Sequence, residues 1–284
     1  MSIIVDHLTY TYGIETPDEK RAINDVSFAI QDGEYIGLLG HTGSGKSTLV
    51  QLLTGLLTPQ SGSVYYNGAD IFDRDYDKKK LRSEVGLIFQ YPEHQIFEVD
   101  VFSDVCFGPK NQGLSKSEVQ LRAYEALKLV GIKDEYFYQS PFELSGGEKR
   151  RVAIAGVLAM KPKALILDEP TAGLDPRGRD EILELINRLR IEQGMTIILV
   201  SHSMDDVAEN VDRIMVMDKG ILRFDGSKAQ VFSHYEELQE IGLDIPSVTK
   251  TLLMLKNRGF NVNTNIYTLK EAAAEIIRVK SRGF

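Results

Sequence analysis

Apolar residues recur along this chain with two different spacings, and the switches between them outline the fold. The unbroken runs Tyr35-Ile36-Gly37-Leu38-Leu39, Val85-Gly86-Leu87-Ile88-Phe89, Leu165-Ile166-Leu167 and Thr196-Ile197-Ile198-Leu199-Val200 are short and apolar throughout. Such runs predict strands covered on both faces, as in the parallel sheet of an α/β protein. Residues 1–35 alternate apolar and polar in short runs with turns, which predicts antiparallel strands over one face of that core. Helical spacing follows the first run over 47–57 and fills most of the interval between Tyr91 and Leu165, where Ser115-Lys116-Ser117-Glu118 reads as a capping box whose helix ends near Gly131. The pattern changes again from about residue 226. Pro246 opens a helix with Val248, Leu252, Leu253 and Leu255 on or near one face, and Thr268-Leu269-Lys270-Glu271 caps another. The expected organisation is one large domain over 1–225, with a helical part over about 91–160, and a C-terminal extension over 226–284 too small for a catalytic domain. No internal repeat is present.

The candidate chemistry gathers at the ends of the buried runs. After the first comes Gly40-His41-Thr42-Gly43-Ser44-Gly45-Lys46-Ser47-Thr48, a phosphate-binding loop between a strand and a helix. Gly40 and Gly45 bracket a turn where a side chain would hold the backbone off a phosphate, successive N–H groups point into the anion, and the helix N-terminus faces it. Lys46 reaches the β- and γ-phosphates and the Ser47 hydroxyl reaches Mg²⁺, so the loop predicts ATP with Mg²⁺. His41 has no evident chemical duty beyond its place in the loop, and its side chain is expected to point outward. Gln90 closes the second run, where its amide can touch Mg²⁺ or the attacking water. Asp168 and Glu169 close the third, Asp168 suited to the Mg²⁺ shell and Glu169 to polarising water for in-line attack. Paired acids after a strand otherwise serve as a helix cap; a phosphate loop upstream favours the catalytic reading. His202 follows the fourth run. The octet Leu144-Ser145-Gly146-Gly147-Glu148-Lys149-Arg150-Arg151 offers a hydroxyl and bare N–H groups at the start of a helix over 148–160, a second anion site or a plain capped turn.

Composition narrows the class. The chain has 284 residues, 43% of them apolar, and a net charge of −8, enough for a full core. The basic tract Lys78-Lys79-Lys80 reads as a solvated helix start, and a nucleic-acid surface is not expected. The single cysteine, Cys106, excludes an internal disulfide and reads as a small buried hydrophobe in a reducing compartment. Met1-Ser2-Ile3 lacks a charged leader and an apolar signal core. The longest uncharged apolar run, Val152 to Met160, falls short of the ~20 residues needed to span a bilayer.

Phosphate loop, Gln90, octet, Asp168-Glu169, Ala172-Gly173-Leu174-Asp175 and His202, in that order, resemble the ATP-binding cassette (ABC) family from about residue 3 to 225. The resemblance implies a P-loop NTPase with a RecA-like parallel sheet core, an antiparallel β-subdomain, a helical subdomain and here a small C-terminal helical extension. It implies that Ser145, Gly146 and Gly147 close over ATP held by a second cassette, that Asp175 stands at the subunit junction, that His202 contacts the γ-phosphate, and that Tyr12 stacks on adenine, with Tyr10 as the alternative. One phosphate loop, no membrane helix and too short an interval for inserted coiled coils leave a detached transporter ATPase. Tyr91-Pro92-Glu93-His94-Gln95-Ile96-Phe97, Val101 to Pro109, Gly40-His41-Thr42-Gly43 and Ile241 to Pro246 resemble the ATPases of energy-coupling factor importers, the cobalt-type group, and best the second of their two paralogues. That implies uptake of vitamins or transition-metal ions with a second ABC ATPase subunit, a membrane scaffold protein and substrate-binding membrane subunits, the chain lying peripherally on the cytoplasmic face of the cell membrane. Glu98, Asp100 and Asp104 would receive the scaffold's arginines, and residues 226–284 would help hold two cassettes together. A soluble ABC-type switch acting on a protein partner, or an exporter ATPase, is the alternative; the same segments argue against both.

Overall fold

The computed structural model describes residues 2–281. The chain runs through strands β1 (Ile3–Tyr12), β2 (Lys20–Ile30) and β3 (Tyr35–Leu39), helix α1 (Lys46–Leu53), strands β4 (Ser61–Tyr66) and β5 (Ala69–Asp70), helix α2 (Lys78–Glu84) and strand β6 (Val85–Ile88). Helices α3 (Val101–Asn111), α4 (Lys116–Leu129) and α5 (Gly146–Leu158) follow, then β7 (Ala164–Asp168), α6 (Pro176–Gln193), β8 (Thr196–Val200), α7 (Met204–Asn210), β9 (Arg213–Asp218) and β10 (Ile221–Ser227). The tail is helical: α8 (Lys228–Phe232), α9 (Tyr235–Glu240), α10 (Ser247–Asn257) and α11 (Leu269–Ser281).

The strands form two sheets, one of order β2-β1-β4-β5 and one of order β10-β9-β3-β8-β7-β6. The first is antiparallel. In the second, β9, β3, β8, β7 and β6 are mutually parallel and only β10 runs against its neighbour. The unbroken apolar runs have a simple cause, because successive side chains of a strand face opposite ways. Tyr35 and Leu39, Leu165 and Leu167, and Ile197 and Leu199 enter one core, which also takes the helices. Ile36 and Leu38, Ala164 and Ile166, and Ile198 and Val200 enter a second core shared with the antiparallel sheet and α1. Both faces therefore demand apolar side chains, and the buried Thr196 is accommodated by accepting from the Gly33 N–H at 2.9 Å.

Parallel register then decides where the functional residues stand. Leu38 pairs with Val200, Asp168 with Val200 and Ile88 with Leu167. The residues following β3, β6, β7 and β8 therefore emerge along one rim of the sheet, where ligands of open α/β sheets bind. Helices α3, α4 and α5 pack together through Val101, Val105, Cys106, Ala123, Leu127, Val152 and Ala155, so Cys106 is the buried hydrophobe expected. No helix among the described residues is long and apolar enough to cross a membrane.

Several local expectations change. Helix α1 stops at Leu53, where the Thr54 hydroxyl turns back onto the Val50 carbonyl at 3.1 Å and Gly55 takes a left-handed φ of 64°. Ser115 accepts from the Glu118 N–H at 3.3 Å, but the Glu118 carboxylate turns to Arg122 at 2.6 Å; half of the expected capping box forms. Full boxes close instead at Ser145 with Glu148 and at Ser227 with Gln230. Nor does packing break near 225, since Val231, Phe232, Leu238, Leu243 and Ile245 all join the large core. A separate small core, Leu252 with Val262, Ile266 and Ala272, begins only in α10.

Gly37 shows how tightly β3 is covered: a Cβ built there would lie 2.6 Å from Val207 Cγ1 on α7. Gly37→Ala should destabilise the chain by about 1–3 kcal/mol through overpacking, read as a lower urea midpoint at unchanged slope.

Candidate active site

The phosphate loop cannot be built with larger residues. A Cβ on Gly40 would stand 2.4 Å from Ser44 Oγ and 2.5 Å from the Met217 carbonyl, and one on Gly45, at φ 109°, 2.4 Å from the Ala22 carbonyl. Lys46 curls beneath the loop and donates to the carbonyls of Gly40 (2.7 Å) and His41 (3.1 Å). Burial pushes its ammonium pKa down, while the charges of Glu169 and Asp168 pull it back up. His41 does not point freely outward. Its Nδ1 sits 2.8 Å from the Thr42 carbonyl and its Nε2 3.1 Å from Asp218 at the end of β9. The Ser44 side chain is buried and does not line the cavity; its carbonyl accepts from Gly220 N–H at 2.9 Å, so it shapes the loop from below.

Across the loop stand the strand-end residues. The Ser47 hydroxyl donates to Asp168 at 3.1 Å. Burial raises the Asp168 pKa and the Glu169 charge adds to it, against the pull of Ser47 and Lys46. Glu169 sits at a left-handed φ of 50°, unusual for a residue with a side chain, its N–H held by the Val200 carbonyl at 2.9 Å. One carboxylate oxygen accepts from Gln90 Nε2 at 3.1 Å and the other lies 3.1 Å from His202 Nδ1. Tyr12 OH meets Thr48 Oγ1 at 3.2 Å and the ring packs edge-on to Tyr10; Tyr12 lines the cavity, Tyr10 does not. Together with Gly40, His41, Thr42, Gly43, Gly45 and Lys46 these residues wall a cavity of about 860 Å³. Gly242, Leu243 and Asp244 of the tail also line it, which the sequence reading missed because no phosphate-binding motif marks them.

Ser145, Gly146, Gly147 and Asp175 are not among the lining residues. Ser145 Oγ donates to Glu148 at 2.7 Å and accepts from the Glu148 N–H at 3.3 Å; Asp175 caps α6 through the Gly178 N–H at 3.1 Å. A Cβ on Gly146 would meet nothing within 4 Å, so this helix start faces open space.

A protein-family model described as ABC transporter matches residues 23–172. The chain is 52% identical over 280 residues to the energy-coupling factor transporter ATP-binding protein EcfA2 of Clostridium tetani, covering 98% of this chain and 97% of that one. It is 51% identical over 286 residues to the protein of that name from Clostridioides difficile, covering 100% and 99%. Among solved structures, CbiO1 of Clostridium perfringens, described as part of the ABC transporter complex CbiONQ, superposes with a TM-score of 0.73 at 40% identity over 84% of this chain and 93% of that one. The chain belongs to the ATP-binding proteins of energy-coupling factor transporters, within the ABC family. It is an ABC-type ATPase. The dimeric cassette MJ0796 bound to ADP and phosphate matches with a TM-score of 0.69 at 27% identity, over 79% and 98%.

Within this ATPase the sequence reading also missed Arg150. It lies in the octet helix, 1% exposed. It grips Glu93 with two hydrogen bonds, at 3.0 and 2.7 Å, and donates to the carbonyls of Pro170 (3.0 Å) and Ala172 (2.7 Å). The expected acidic face after Gln90 is also altered. Asp100 caps α3 through Ser103, and Asp104 accepts from the N–H groups of Phe97 (3.0 Å) and Glu98 (3.2 Å). Beside them Phe97, Phe107 and Val99, the last 84% exposed, face outward.

Burial opposes ionisation of Glu93, yet the Arg150 hydrogen bonds and charge outweigh it and hold the carboxyl below its ordinary 4.5. The pair therefore stabilises the fold above about pH 4.5, and that stability fades as pH falls through the depressed value. Glu93→Gln should cost roughly 3–5 kcal/mol at neutral pH by leaving a buried guanidinium uncompensated, and the loss relative to the parent should shrink in urea melts taken at falling pH.

Proposed function

We propose that the cavity holds Mg²⁺–ATP and that Glu169 activates the water that attacks it. The observation that carries this reading is the Glu169 carboxylate, fixed between Gln90 and His202 at the rim facing Lys46 and the Ser47–Asp168 pair. Lys46 and the loop N–H groups of residues 40–48 bind the phosphates, and Tyr12 stacks on adenine. Ser47, Asp168 and Gln90 supply hard oxygen donors for Mg²⁺. A donor set of this kind, with one or two carboxylates completed by substrate phosphates, suits Mg²⁺. When bound, the ion would offset the negative charge that develops on the transferred phosphate. Glu169 holds the attacking water and takes its proton; His202 contacts the γ-phosphate and keeps the carboxylate oriented.

Ser145, Gly146, Gly147 and Asp175 serve the nucleotide of a second cassette. The Ser145 hydroxyl then turns from Glu148 to donate to that phosphate, while the Glu148 carboxylate keeps the Ser145 N–H, now 2.9 Å away, and so preserves the helix start. Nucleotide-driven closure energises uptake of vitamins or transition-metal ions through a membrane scaffold protein and substrate-binding membrane subunits, with the chain peripheral on the cytoplasmic face. The exposed Phe97, Val99 and Phe107 beside Glu98 form the seat for the scaffold. The tail, with Met254, Leu269 and Ile277 exposed, adds contacts between cassettes.

Glu169→Gln should retain ATP affinity within a few-fold and lower turnover about 10²- to 10⁴-fold, while Lys46→Ala should weaken nucleotide binding itself; parental turnover by the glutamine variant would end the assignment. A pull-down in mild detergent should recover a second cassette and a multi-helix membrane protein. Recovery of soluble partners alone would favour a transport-free switch. The same pull-down from a chain cut after Pro246 should hold less of the second cassette before ATP is added.

A further inference from the structure

The cavity has one wall that no phosphate-binding motif accounts for. Gly242, Leu243 and Asp244 come from the loop between α9 and α10, far along the chain from the phosphate loop, yet they line the same space as Lys46, Glu169 and His202. The loop is held firmly. Gly242, at φ 77°, donates to the Gln239 carbonyl at 3.0 Å and Leu243 to the Leu238 carbonyl at 2.9 Å, while the Leu243 and Ile245 side chains are buried in the large core. Asp244 would repel a polyphosphate if its charge stood free. Instead one carboxylate oxygen accepts from the Ile245 N–H at 2.9 Å and the other from Lys250 Nζ at 2.7 Å, which turns the charge toward α10 and neutralises it there.

A second contact ties this wall to the helix that follows His202. Ser247, the first residue of α10, donates through its N–H and its hydroxyl to the two oxygens of Asp205, each at 2.8 Å. Asp205 lies in the first turn of α7, three residues after His202, and Met204 between them lines the cavity as well. On its other side α10 is fastened to the rest of the tail: Thr249 donates to the Ile266 carbonyl at 2.6 Å, and Leu252 packs on Val262, Ile266 and Ala272 of the small core.

We propose that residues 242–244 belong to the nucleotide site: Leu243 and the Lys250-paired Asp244 form a wall against the bound ATP, and the Asp205–Ser247 clamp carries occupancy of the site into α10 and α11. Asp205 and Ser247 are positioning residues that act through the wall and α7 without touching nucleotide. The coupling has a short physical route. Drawing His202 toward a γ-phosphate shifts the first turn of α7, and a carboxylate gripped by two donors on α10 transmits that shift to the tail. The inference rests on reading the cavity as the ATP site.

Hydrogen–deuterium exchange on the full chain, with and without Mg²⁺ and a non-hydrolysable ATP analogue, separates the two claims. In the parent, nucleotide should slow exchange both in residues 40–48 and in 243–253, the latter at least about fivefold, the low end of ordinary site-to-site coupling. Asp205→Ala should keep the protection of 40–48 and lose that of 243–253. Asp205→Asn, which still offers an oxygen to the Ser247 N–H, should keep part of it. Protection of 40–48 without protection of 243–253 in the parent overturns the inference alone, and so does tail protection that both Asp205 variants leave intact. An analogue that protects neither segment removes the ATP reading and this inference with it.

Discussion

A single buried guanidinium ties the working parts together. Arg150 cannot be left unpaired in the interior, because desolvating a charge without partners costs several kcal/mol. Its planar fork fits a carboxylate with two parallel bonds, and Glu93 provides that carboxylate while the carbonyls of Pro170 and Ala172 take another nitrogen. Three segments with different duties are thereby joined: the helix that starts at the octet, the turn just past Glu169, and the stretch after Gln90 with its exposed apolar face. None can shift far without drawing the others or stranding the charge.

The carboxylates and the lysine at the sheet rim form the second constraint. Burial pushes Asp168 up and Lys46 down, and their opposite charges restrain both shifts. Glu169 is held differently, by backbone geometry unusual for a residue with a side chain and by a neighbour on each oxygen. Adjacent acids thus acquire different environments, one in the Ser47 hydrogen bond beside the phosphate loop and one between Gln90 and His202.

The division of the motifs between two places has the same physical logic. The phosphate loop, Gln90, Glu169 and His202 follow parallel strands and share a rim, whereas the octet begins a helix whose first turn is satisfied by its own capping box and opens away from that rim. One chain therefore presents two separate surfaces, and a dimeric cassette is among the solved structures that it resembles. The tail is less separate than its composition suggests, since residues as far as Ile245 complete the main core.

Local features were legible from the residues in order. A strand buried on both faces must be apolar throughout, a phosphate loop must have glycine where no Cβ fits, and both requirements act within a few neighbours, so β3, β6, β7, β8 and the residues at their ends could be read directly. Features set by distant segments could not. Arg150 and Glu93 stand 57 residues apart, and nothing in either neighbourhood marks them as partners; the same holds for the tail residues that wall the cavity and for Asp205 with Ser247. Glu118 chose Arg122 over its own N-cap, and Asp100 and Asp104 went to nearby N–H groups, because several partners were within reach and packing settled which was closest. Spacing along a chain fixes what a backbone can do locally, while pairing between remote side chains follows from how the helices and sheets come to rest against one another.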